Sequence, residues 1–132
     1  MLKPNPVLRA LWILPVLSCW GVEEVCTRVP QGAIVATVQD SATGAPKVLG
    51  AMLHVREGTY VDSAMGAVPG QTFLAAGFAR LSNGGIGDGR PGTYDVTVTA
   101  AGYETWRRSG VRVSAARCGV ESVNLLVRLR GL

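Results

Sequence analysis

The chain has 132 residues, 48% of them hydrophobic and 17% charged, and a formal net charge of +4 at pH 7. That size fits one domain with a core of its own. One histidine and three cysteines leave little material for a zinc centre, and no His-Glu-x-x-His spacing occurs.

The first nine residues carry Lys3 and Arg9 and no acid, and the apolar run 10–17 follows them, broken by Pro15. This is the layout of an export signal, and the run is far shorter than the ~20 residues that span a bilayer as helix. Val16, Leu17, Ser18 and Cys19 then resemble the lipobox of bacterial lipoproteins, in which the cysteine becomes the acylated first residue of the mature chain. The alternative is an ordinary signal peptide cut by a different peptidase, with Cys19 left as an odd thiol or a disulfide partner. Several acyl chains on one residue, at ~0.8 kcal/mol per buried methylene, anchor a protein durably. Trp20 follows Cys19 where an Asp would favour the inner membrane, so the resemblance implies an outer-membrane lipoprotein of the bacterial envelope, with the membrane as its partner through Cys19.

Removing residues 1–18 leaves 132 − 18 = 114 residues with 11 cations against 9 acids, a net charge near +2. Nucleic acid is therefore not an expected partner. The remaining cations are ten Arg and Lys47, with Arg107, Arg108, Arg112, Arg117, Arg128 and Arg130 crowded near the C-terminus. Such a set reads either as the solvated face of strands or as a surface for phosphate and carboxylate groups. Lipidation at Cys19 leaves Cys26 and Cys118, an even pair in a compartment that permits disulfides, so a Cys26–Cys118 bond is expected.

Residues 19–32 read as the lipidated tether and 33–132 as the folded domain. Seventeen glycines and seven prolines punctuate segments rich in Val and Thr, the composition of strands and turns. In residues 33–39 the side chains of Ile34, Ala36 and Val38 share one face. Residues 40–46 form a turn in which Asp40 accepts backbone N–H groups and Gly44 takes positive φ. Residues 51–57 alternate with Ala51, Leu53 and Val55 inward and His54 outward, and Gly58 ends that strand. Residues 59–63 and 71–81 read as a third and a fourth strand, with the stretch 64–71 unpatterned between them. Residues 82–92 read as a loop. Tyr94, Val96 and Val98 face inward in a strand over 93–99, residues 101–103 turn the chain, and 104–113 carries one or two more strands. The last strand, 121–130, sends Val123, Leu125, Val127 and Leu129 inward. No helical period of useful length occurs, and about seven short strands predict an all-β antiparallel sandwich.

Three pieces in order carry a family likeness: Val38 to Pro46 (VQDSATGAP), Pro91 to Val98 (PGTYDVTV) and Ala101-Gly102-Tyr103. They resemble the carboxypeptidase regulatory-like domain, a transthyretin-like (prealbumin-like) β-sandwich, over residues 33–129. The resemblance implies an accessory, adhesive or carbohydrate-contacting module with no chemistry of its own. Transthyretin-like hydrolases need several histidines and a C-terminal Tyr-Arg-Gly-Ser. This chain has His54 alone and ends Leu-Arg-Gly-Leu, so that activity is not carried over.

Gly87 to Gly92 matches Gly-x-Gly-x-x-Gly, but it leads into a strand where a dinucleotide fingerprint opens a helix. Gly84 to Asp88 resembles a calcium repeat that works only in stacked arrays. No cofactor or metal is implied. The expected function is a non-catalytic envelope lipoprotein acting as a structural or protein-interaction module, with a carbohydrate-binding module as the alternative. Trp106, Tyr60, Arg107 and Arg108 are its candidate ligand contacts. Trp106 reads either as packing over the sandwich edge or as an aromatic platform for a sugar ring. Tyr103 is expected to bury its ring and bond a backbone group through its hydroxyl.

Overall fold

The structure, a computed structural model, describes residues 30–132. The segment expected to direct export, Cys19 and Cys26 lie outside the described residues. Within them the fold is all-β, with no helix. It has ten strands in three sheets where the sequence predicts about seven.

β1 (Ile34–Asp40) sits between β10 (Val123–Leu129) and β4 (Leu74–Ala76) in a three-stranded sheet. The β1–β10 pair is parallel, from Ile34 opposite Val123 to Asp40 opposite Leu129. Alternation in both strands turns Ile34, Ala36, Val38, Leu125, Val127 and Leu129 to the same side, and all six are buried. The second sheet has five strands in the order β3 (Tyr60–Met65), β2 (Met52–Glu57), β7 (Gly92–Thr99), β8 (Trp106–Ala116), β9 (Gly119–Glu121). Leu53, Val55, Tyr94, Val96 and Val98 point from it into the same core. No polar or charged side chain among the described residues is buried, so the two sheets meet through apolar surface, as in a β-sandwich. Each fully buried Leu or Val contributes ~1.5–3 kcal/mol of transfer free energy.

The fourth predicted strand is in fact two. Gly77 separates β4 from β5 (Phe78–Arg80) at φ +92, and a Cβ there would overlap Ala33. The Asp62 carboxylate accepts the N–H groups of Gly77 and Phe78 at 2.8 and 3.2 Å, which compensates for the ladder bonds lost at the break. The stretch 82–92, predicted as loop, contains β6 (Ile86–Gly89), which pairs with β5 as a hairpin. Its turn is closed by Leu81 N–H donating to the Gly85 carbonyl and by Gly85 N–H donating to Asn83 Oδ1. Where one or two strands are predicted over 104–113, Trp106–Ala116 gives one long strand, β8, with a bulge opposite Asp95, and the short β9 adds to its edge. The unpatterned connection after β3 is held by Gln71, whose side-chain oxygen accepts the N–H groups of Ala67 and Val68.

Because β1 and β10 run in the same direction, the sandwich has two distinct poles about 20 Å apart along β1. The chain arrives at the first pole. Ser122 Oγ donates to the Gly32 carbonyl there at 2.7 Å, and a Cβ on Gly89 would overlap both the Gln31 carbonyl and the Val120 side chain. The second pole carries the turn after β1, where Gly44 has φ +75 and Asp40 Oδ1 accepts the N–H groups of Ala42 and Thr43.

Asp40 Oδ2 accepts the Tyr103 hydroxyl at 2.6 Å, so Tyr103 bonds a carboxylate and not the backbone group expected for it. The Lys47 ammonium lies 5.5 Å from the centre of its ring. The Asp40 carboxyl is held down from 3.8 to about 2, first by the Tyr103 hydroxyl and then by the N–H groups of Thr43 and Ala42. A folded-state value below the unfolded one means the clasp is fully present above pH 3.8 and is lost as pH falls through about 2. Tyr103→Phe removes the largest cause, so the Asp40 titration midpoint, followed by carboxyl-carbon NMR, is expected to rise toward 3.8. An unchanged midpoint would assign the whole shift to the backbone donors.

Candidate functional site

The second pole also holds the most distinctive polar recess among the described residues. The turn at Ala101 and Gly102 delivers the chain into β8, whose first residue, Trp106, stands opposite Val98. That register points the indole toward the core, against which it packs half-buried. Arg108 stands opposite Val96 on the same face, and its guanidinium carbon lies 5.0 Å from the centre of the indole. A guanidinium over an aromatic face is held by cation–π attraction and loses less side-chain freedom when it meets a ligand.

The C-terminus completes the recess. Beyond β10 the chain stays paired, with Glu104 N–H donating to the Arg130 carbonyl at 2.8 Å and Leu132 N–H donating to the Gly102 carbonyl at 3.0 Å. Arg128 and Arg130 are thereby brought beside the start of β8. A cavity of about 190 Å³ results, lined by Glu104, Thr105, Trp106, Arg128 and Arg130. Arg108, Arg128 and Arg130 are exposed, and none forms an ion pair among the described residues, unlike Arg80 with Asp62 and Arg90 with Glu57. Two cations, Arg128 and Arg130, thus share the cavity with one carboxylate, that of Glu104, while Arg108 lies beside it on the indole.

No family model matches the chain, and no curated protein matches it. The site has to be read from its own residues.

Of the four ligand contacts expected from sequence, the structure brings together only Trp106 and Arg108. Arg107 stands opposite Thr97, itself opposite His54, on the outer face of the five-stranded sheet. Tyr60 is at the other pole. Its hydroxyl donates to the Phe78 carbonyl at 2.6 Å, its ring meets that of Tyr94 edge-on at 6.1 Å, and the Arg90 guanidinium covers it at 4.2 Å. Burial, and then the nearby Asp62, push the Tyr60 phenol up to about 12. This ring is occupied by internal packing and offers no platform. Arg128 and Arg130 were legible in the sequence only as part of the cationic set. The signal that singles them out is their position two residues apart on the polar face of the last strand, where it overhangs β8.

Glu57 closes the first pole. Its carboxylate accepts Arg90 Nη1 at 2.6 Å and the Thr93 N–H at 2.5 Å, which together hold its pKa below the usual carboxylate range, the Thr93 bond first. A Cβ on Gly92 would strike that carboxylate, so the glycine is required for the approach. Both carboxylate oxygens in this knot have a structural partner. A wider groove of about 820 Å³ lies over the outer face of the three-stranded sheet, beside Val35, Phe73, Phe78 and Asn124, and its lining contains no charged residue. Cys118 is half-buried in the β8–β9 turn, two residues from Val120 and so at the pole where the chain arrives.

Proposed function

We propose that this chain is a non-catalytic lipoprotein of the bacterial cell envelope, a structural or protein-interaction module held at the outer membrane by acyl chains on Cys19 and stapled by a Cys26–Cys118 bond. Its body is proposed to be the transthyretin-like sandwich that its sequence motifs resemble. The observation that carries this reading is the polarity of the fold. Gln31 lies against Gly89 and Val120 at the same end as the Cys118 turn. Cys26 lies five positions before Gln31, and an extended run of five steps reaches about 17 Å, enough to meet Cys118 from there. With Cys19 committed to the anchor, Cys26 is the partner proposed for Cys118. Such a staple fixes the tether to one pole and turns the other away from the bilayer.

Mass spectrometry of the full chain purified from membranes tests the anchoring. The expected product begins at an acylated Cys19, and Cys19→Ser is expected to move the protein to the soluble fraction. A water-soluble, unmodified product beginning elsewhere would overturn it.

A second reading, a carbohydrate-binding module of the envelope, is favoured by one specific observation. Trp106 is half-buried beside three arginines at the pole facing away from the tether.

A further inference from the structure

We propose that the Trp106 recess binds an acidic sugar, a saccharide ring bearing a carboxylate or phosphate, as part of a polymer lying outward from the anchoring membrane. This rests on the carbohydrate-binding reading above and names the ligand class it would take.

The lining selects that chemistry by elimination. A simple inorganic anion would be attracted to Arg108, Arg128 and Arg130, but it gains nothing from the indole and is repelled by Glu104 in the same cavity. A neutral sugar can use the indole, the Thr105 hydroxyl and Glu104 as acceptor, yet it leaves exposed arginines without the planar anion that their donor forks suit. A sugar acid uses all of them. Its apolar C–H groups meet the part of the half-buried indole that lines the cavity, its hydroxyls donate to Glu104 and exchange bonds with Thr105, and its anionic group meets the guanidinium edges. A cavity of about 190 Å³ offers room for one ring at a time, so a polymer would be read one unit deep at the pole.

Position argues for a polymer and against the anchoring bilayer as the ligand. Arg128 and Arg130 sit at the end of β10, whereas the tether arrives beside its start, the length of a strand away. With the lipid at residue 19, the recess faces outward. Arg108, already resting on Trp106, is pre-organised, so less ordering entropy opposes binding.

The test titrates the full chain, isotope-labelled and carrying its native N-terminus in detergent, with tetragalacturonate, maltotetraose and inorganic phosphate in turn. Tetragalacturonate is expected to shift the Trp106 indole N–H resonance and the amides of Glu104, Arg128 and Arg130, with affinity falling as salt rises. Arg108→Gln and the double variant Arg128→Gln/Arg130→Gln alter exposed side chains. Each is expected to weaken binding about tenfold or more, the loss of a charge-assisted contact, while leaving the amide spectrum of the core unchanged. Trp106→Phe tests the ring while retaining most of its packing, and a weaker affinity is expected. The proposal is overturned if tetragalacturonate shifts nothing at this pole, if maltotetraose binds equally well, or if inorganic phosphate reproduces the full response as an ion alone. Binding to anionic lipid vesicles that is indifferent to Arg108→Gln would also overturn it. An anchored protein that binds no sugar acid sinks this inference alone. A soluble protein that binds one sinks the anchoring alone.

Discussion

Replacing Tyr94 with Ala is expected to cost about 3 to 5 kcal/mol, the range for truncating a large aromatic side chain in a packed core. Tyr94 is fully buried and heads the largest side chains of the core. Its ring is packed edge-on against Tyr60, and opposite it in the ladder is Val111. Its hydroxyl donates to the Arg90 carbonyl at 2.5 Å. Arg90 in turn covers Tyr60 and pairs with Glu57, so one side chain supports the whole closure of the first pole. Truncation therefore opens a cavity and also leaves a part-buried carbonyl without its donor. Tyr94→Phe separates the two contributions and should cost only about 1 to 2 kcal/mol, the penalty for the unsatisfied acceptor. Urea unfolding midpoints of the two variants provide the measurement. Against a typical total of about 5 to 15 kcal/mol, Tyr94→Ala should be largely unfolded at moderate denaturant. Equal midpoints for the two variants would mean that the ring contributes little and that the argument from burial is wrong.

Tyr94 was legible in the sequence because β7 alternates cleanly, and the same period exposed Ile34, Ala36 and Val38 in β1 and Leu125, Val127 and Leu129 in β10. Each of these strands has one face on the core, so the burial pattern is written into every second residue. β6 could not be read that way. Its residues are Ile-Gly-Asp-Gly, and it is held by backbone bonding to β5 with its isoleucine 61% exposed, so no side-chain period marks it. The break at Gly77 was hidden for a different reason. An apolar run continues across it in sequence, and what divides the run is the carboxylate of Asp62, fifteen residues earlier.

The candidate site divides along the same line. Trp106 and Arg108 are two apart on one strand, a local relation that alternation can predict. Arg128 and Arg130 join them only because the parallel β1–β10 pairing carries the C-terminus to the far pole, where residues beyond Leu129 pair with the chain at Gly102 and Glu104. Nothing local in the last strand announces that neighbour. The expectation of Tyr60 as a ligand contact rested on aromatic character alone. An aromatic ring at a strand end is as well used in closing a core as in meeting a ligand, and here Arg90 and Tyr94 both pack against it.

Opening the proposed Cys26–Cys118 bond is expected to lower stability by up to about 4 to 5 kcal/mol, the chain-entropy figure for a loop of 118 − 26 = 92 residues. For a domain of this size that corresponds to a fall of about 15 to 20 °C in Tm. The location of Cys118 sharpens the prediction beyond the loop length. β9 is only three residues long, pairs with β8 alone, and forms the edge of the five-stranded sheet. Its Val120 nevertheless contributes to the core, and Gln31 is packed close by. A covalent tie at the adjacent turn therefore holds a weak edge and the arriving chain together. Once it is cut, the amides of β9 should exchange with solvent before those of β7, because they have fewer buried contacts to lose. Cys118→Ser, Cys26→Ser and the double variant should share one midpoint, equal to that of the reduced native chain, since each breaks the same bond. Additive losses would mean that the two cysteines act separately. An unchanged midpoint on reduction would show that the pole is held by the Gly32–Ser122 bond and apolar packing alone, with no contribution from a staple.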